Sequence, residues 1–114
     1  MTEYSQQIES SIQALFSNIS ERLTTEDMVR VERAYLLAAE AHSEQKRKSG
    51  EPYIIHPIGV VGILASLQMD ERTLAAAFLH DVVEDTDYTV EDISNIFGPK
   101  IAQIVDGLTK ISGG

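Results

Sequence analysis

Residues Asp70–Asp87 read "DERTLAAAFLHDVVEDTD". Asp70 stands where a helix wants an N-cap acceptor, and Leu74, Ala77, Phe78 and Val82 follow with a helical period. This predicts a helix that starts after Asp70 and runs to Val82 or beyond. Its second half changes character, because His80, Asp81, Glu84 and Asp85 enter beside Phe78, Leu79, Val82 and Val83. On a helix, residues three and four apart are neighbours, so His80, Asp81, Glu84 and Asp85 share adjoining parts of one surface. An imidazole and a carboxylate so placed can reach one divalent ion. A solvated acidic helix end has the same composition, and the stretch alone leaves both readings open. An EF-hand is excluded: counting from Asp85, Val90 stands where glycine is required and Ile96 where glutamate is expected.

The rest of the chain reads as helical too. Ile8, Ile12, Leu15, Phe16 and Ile19 give a first amphipathic helix. Thr24, with Asp27 after it, resembles a capping box, and the stripe Val31, Ala34, Leu37, Ala38 and Ala41 carries a second helix to about Glu44. "QKRKSGEP", residues 45–52, is a polar loop. Pro57 suits the first turn of a third helix bearing Ile58, Val61, Leu64, Ala65 and Met69. Thr89 and Asp92 form a further capping-box pattern before Ile93, Ile96 and Phe97. Gly98 then reads as a helix stop and Pro99 as the opening of a last helix through Ile104, Val105 and Leu108. No segment alternates with a period of two for long enough to argue a sheet. The expected fold class is therefore all-α, with about five or six helices.

Composition bounds the function. A chain of 114 residues makes a single domain, and 43% hydrophobic with 24% charged residues is globular and not disordered. No apolar run approaches the roughly 20 residues of a membrane span, and the amino terminus lacks the pattern of a signal peptide. A cytoplasmic location is the simplest expectation. With no cysteine, disulfides and thiolate metal sites are excluded. A net charge of −9 argues against a nucleic-acid partner. Lys46, Arg47 and Lys48 nevertheless stand together, and a small basic island in an acidic chain suits a small anionic ligand.

His56, in "YIIHP", lies at the mouth of the third helix. A lone histidine there is more often a capping or core residue than a ligand, and a basic loop is commonly just solvated. The joint order carries more: basic loop, histidine at a helix start, then His-Asp and Glu-Asp on the following helix.

That order resembles the amino-terminal hydrolase domain of the RelA/SpoT proteins, which act on the guanosine tetra- and pentaphosphate alarmones. The matching text is "RKSGEPYIIHPIGVVGILASLQMD", "AAAFLHDVVEDT" and "FGPKIAQIVDGLTK", covering at least Ala38–Lys110. The resemblance implies an HD phosphohydrolase, an all-helical bundle holding one metal ion, usually Mn²⁺. By it, His56, His80 and Asp81 match metal ligands. Glu84 and Asp85 match the catalytic acidic pair that positions or deprotonates the attacking water. Arg47, Lys48 and Ser49 match the loop receiving the guanine nucleotide, with Tyr53 on the pocket wall. The implied reaction is hydrolysis of the 3′-pyrophosphate, giving GDP or GTP and pyrophosphate.

One departure from the family pattern is clear. A fourth metal ligand, an aspartate in an "ADRLHNMRT"-like segment, has no counterpart among these residues, and neither does a synthetase domain. The expectation is that residues 1–114 are a partial HD domain, a fragment of weak or no activity. A homo-oligomer is also expected, through an apolar surface left open at Phe78, Val82, Ile104 and Leu108. Two other readings stand beside this one: an HD phosphohydrolase for a different nucleotide, and a non-catalytic binding module with a vestigial metal site.

Overall fold

The computed structural model describes residues 3–112. These form six helices: α1 Glu3–Ser20, α2 Thr25–Ala41, α3 Ile55–Ser66, α4 Glu71–Asp85, α5 Val90–Phe97 and α6 Pro99–Ser112. Among the described residues there is no strand, and the one extended pairing is an isolated antiparallel bridge between Lys46 and Pro52. No helix among them is long and apolar enough to cross a membrane.

The helix starts follow the polar caps in the sequence. The Thr24 side chain accepts from the Asp27 amide, and Asp70 accepts from the Thr73 amide. At α5 the box closes in both directions: Asp92 N–H donates to Thr89 Oγ1 at 3.1 Å, and Thr89 N–H to Asp92 Oδ2 at 3.0 Å. Each such bond satisfies an amide that the first turn would otherwise leave unpaired.

Two helix ends come earlier than the apolar pattern suggests. α2 stops at Ala41 and not near Glu44, because His42 leaves helical geometry at φ −99°, ψ 12° and becomes the C-cap. Met69 lies outside α3. Gln68 adopts φ 60°, its amide donates to Ala65 O at 3.0 Å, and the Met69 amide donates to Leu64 O at 3.1 Å. This is a Schellman closure with glutamine in the left-handed position that glycine usually takes. Arg22 Nη2 donates to Met69 O at 2.8 Å and ties the end of α1 to this turn.

α4 is the central helix, packed against α2, α3 and α6. From Leu74 to Leu79 every residue is buried, as is Val82. A helix apolar all round belongs inside, and three consecutive alanines let its neighbours approach closely. Phe78 meets Tyr35 of α2 edge-on at 5.6 Å, and Tyr35 meets Phe16 of α1 at 6.1 Å, so an aromatic chain joins three helices.

The expected open apolar surface is corrected on this point. Phe78 and Val82 are 0% exposed, because α2 and α6 cover α4. Ile104 and Leu108 are partly buried against the same core. An oligomer built on Phe78 and Val82 therefore has no exposed surface to use.

Candidate functional site

α4 changes from core helix to polar helix at His80. Its Nδ1 lies 3.2 Å from Ala77 O, one turn back. A carbonyl only accepts, so Nδ1 carries the proton and Nε2 is left for another partner. Nε2 faces two carboxylates, Asp81 Oδ1 at 3.2 Å and Glu84 Oε2 at 3.8 Å. One ligand atom from each of His80, Asp81 and Glu84 lies within 4.8 Å of the others. The second oxygen of Asp81, Oδ2, is buried and has no hydrogen-bond partner.

This donor set fits a divalent cation. Two carboxylates and an imidazole lone pair held together repel one another unless positive charge lies between them. A buried carboxylate oxygen without a donor also costs free energy that a cation would offset. Imidazole with carboxylate is a donor combination that divalent metals take.

The other sequence-predicted residues approach from the α2–α3 connection. His56 sits in the first turn of α3, with its amide donating to Tyr53 O at 3.0 Å and its ring 5.8 Å from the Tyr53 ring. His56 is not among the three donors grouped on α4; its ring packs against that of Tyr53. Burial pushes the Tyr53 hydroxyl above the ordinary tyrosine range. The charge of Asp81, a hydrogen bond toward it and the charge of Asp85 act the same way, while Arg47 opposes them. Tyr53 thus joins the loop, His56 and the acidic end of α4. Asp85 is exposed and lies outside the three-donor group.

Arg47, Lys48 and Ser49 line an open depression of about 610 Å³ with Gln45, Lys46, Glu51 and Tyr53. Arg47 Nη1 is 3.6 Å from Glu51 Oε1 across the loop. A second, apolar depression of about 440 Å³ lies between α1 and α3, floored by Ile58, Gly59 and Gly62. No titratable side chain lines it, so the chemistry belongs to the loop and α4.

Sequence reasoning passed over the third histidine. His42 is 2% exposed, its ring is 4.7 Å from that of Tyr53, and its Nδ1 is 2.8 Å from Gln45 Oε1. The signal available was the choice of a histidine at the end of an apolar stripe, directly before the basic loop.

Residues 34–113 match the HD domain family. The chain belongs to that family. An HD domain implies a divalent metal, and His80, Asp81 and Glu84 are a group that could hold one. This HD domain is 57% identical over 81 residues to the guanosine-3′,5′-bis(diphosphate) 3′-pyrophosphohydrolase of Aquifex aeolicus (strain VF5), covering 71% of this chain and 12% of that protein. It is 46% identical over 101 residues to the bifunctional (p)ppGpp synthase/hydrolase SpoT of Escherichia coli (strain K12), covering 85% of this chain and 14% of SpoT. It is also 50% identical over 90 residues to a GTP pyrophosphokinase of Streptomyces coelicolor, covering 79% of this chain and 11% of that one. The HD domain thus spans only a small part of the length of the curated relatives it matches.

Proposed function

We propose that this HD domain is a Mn²⁺-dependent 3′-pyrophosphohydrolase acting on guanosine tetra- and pentaphosphate. The observation that carries the reading is the meeting, through Tyr53, of a basic depression with the His80–Asp81–Glu84 donor group. A highly anionic substrate needs the first, and a metal-assisted hydrolysis needs the second. The names of the relatives fit both.

In this reading His56, His80 and Asp81 hold the ion, with Glu84 beside them. When bound, the ion supplies Lewis-acid polarisation of the phosphoryl group. Glu84 and Asp85 orient the attacking water and take its proton as the new P–O bond forms. The bond from phosphorus to O3′ breaks, O3′ recovers a proton, and pyrophosphate leaves. Arg47 stacks on guanine, Lys48 meets phosphate, and Ser49 offers a hydroxyl to the same group. Because the chain is acidic overall, these cations provide the local field a polyanion requires.

The test is pyrophosphate release from guanosine tetraphosphate with Mn²⁺. The 114 residues alone are expected to turn over weakly, since the family's further aspartate is not among them. A longer chain carrying it should be active and should lose activity on His80→Ala or Glu84→Gln. No release from the longer chain, or equal hydrolysis of the adenine analogue, would sink the assignment.

A further inference from the structure

Away from the basic loop, a second depression is framed by positive charge. It measures about 180 Å³ and lies where α2, α4 and the turn from α5 to α6 meet. Arg30 of α2, Arg72 of α4 and Lys100 of α6 line it, and no carboxylate does. The chain has a net charge of −9 and nine Lys and Arg in all. Three of those cations, far apart in sequence, are brought to one small concavity by the fold alone.

The chain's own acids hold two of them without entering the depression. Arg30 Nη1 lies 3.2 Å from Asp27 Oδ1 and 3.4 Å from Glu71 Oε2, and Arg72 Nε lies 3.8 Å from Glu71 Oε1. A guanidinium carries five N–H donors, so these contacts fix each arginine and still leave donors over. Lys100 has no ion pair among the described residues. Three cations against two acids leave an excess of positive charge at the opening, and like charges held together are relieved by an anion. The start of α6 adds to this: Gly98 has no side chain to cap it, and the Lys100 and Ile101 amides find no acceptor among the described residues.

We propose that this depression is a separate anion site that takes a phosphoryl group, either free phosphate or a phosphate carried by a larger molecule. Two guanidiniums match a tetrahedral oxyanion through paired N–H···O bonds, and an ammonium adds a point charge. Arg72 precedes His80 by eight residues on α4, about 12 Å along the axis. An anion here is therefore apart from the His80–Asp81–Glu84 group, and the inference stands whether or not that group holds a metal.

The experiment is a titration of the 114-residue chain with inorganic phosphate, without divalent metal, followed by amide nuclear magnetic resonance. Chloride keeps the ionic strength constant, so that screening does not pass for binding. The Lys100 and Ile101 amides should shift and saturate. Lys100→Ala and Arg72→Ala, both at exposed positions, should each weaken binding about tenfold, the worth of one charge-assisted hydrogen bond. Lys48→Ala, in the basic loop, should leave this affinity unchanged. Lys100 has no ion pair to lose, so its variant decides the matter if Arg72→Ala fails to fold. A parallel titration with GDP separates the sources. Saturation by phosphate as tight as by GDP assigns the site to the free anion, and tighter saturation by GDP at the same amides assigns it to a nucleotide's phosphate. Shifts that do not saturate, equal shifts with chloride alone, shifts confined to Lys46–Ser49, or no loss on Lys100→Ala would overturn the proposal.

Discussion

His80 Nε2 and Glu84 Oε2 stand 3.8 Å apart, one turn from each other on α4, with Asp81 Oδ1 closer still to the same nitrogen. Three electron-rich atoms held together by a helix are destabilised by proximity and relieved by a cation. Mn²⁺ should therefore raise the melting temperature. At an ion concentration of 100 times Kd, linkage gives about 2.7 kcal/mol, which is several degrees for a domain of this size. A chelator should reverse the shift, and His80→Ala should remove it. An unchanged melting temperature with saturating ion would count against the group as a metal site.

Phe78 is fully buried and meets Tyr35, which meets Phe16. Phe78→Ala should cost about 3–5 kcal/mol, the transfer term plus the cavity left among three helices. Chemical denaturation should show a lower midpoint with little change in slope. A loss below about 1 kcal/mol would mean that the site collapses freely, contrary to the close packing seen.

The Asp70 carboxylate accepts from the Thr73 amide, and hydrogen bonding from Thr73, its side chain first and its amide second, holds the Asp70 pKa below the usual carboxylate range. The folded state thus binds its proton less tightly than the unfolded chain does. The Asp70 contribution is full above the unfolded value of about 3.9 and is lost as pH falls through the lower folded value. Asp70→Ala should cost about 1 kcal/mol at neutral pH. Its stability should converge with wild type in strong acid. A gap that widens on acidification would reverse the sign and refute the account.

Two turns offer opposite glycine experiments. Gly98 joins α5 to α6 at φ 98°, ψ 163°, a region essentially reserved for glycine, so Gly98→Ala should cost about 1–3 kcal/mol. Gln68 occupies φ 60° at the Schellman position. Gln68→Gly should stabilise by up to about 1 kcal/mol by removing the strain of a side chain there. Thermal melts of the two variants should move in opposite directions.

Helices were legible in the sequence because their signals are local. Thr24, Asp70, Thr89, Gly98 and Pro99 each mark an end through chemistry within a few residues. The overrun of α2 and the placement of Met69 in α3 share one cause: apolar period continues past the point where φ changes, and a left-handed glutamine leaves no mark in composition. The same contrast divides the site. His80, Asp81 and Glu84 could be grouped from spacing alone, since one helix fixes their geometry. The packing of Tyr53 between His42 and His56, and the burial of His42, depend on how α2, the loop and α3 fold together. The covering of Phe78 and Val82 was hidden for the same reason, because helix period shows an apolar face without naming what lies on it.

The Lys46–Pro52 bridge closes the basic loop into a small hairpin, pinned by Tyr53 N–H to Gln45 O at 3.0 Å, Arg47 N–H to Glu51 O at 2.9 Å and Gly50 N–H to Arg47 O at 2.8 Å. Gly50, at φ 93°, makes the turn. A chain segment already folded in this way gives up little further conformational freedom when an anion arrives. An anion bound here would need only side chains to settle on a standing frame, because the backbone entropy of the loop is already largely spent during folding.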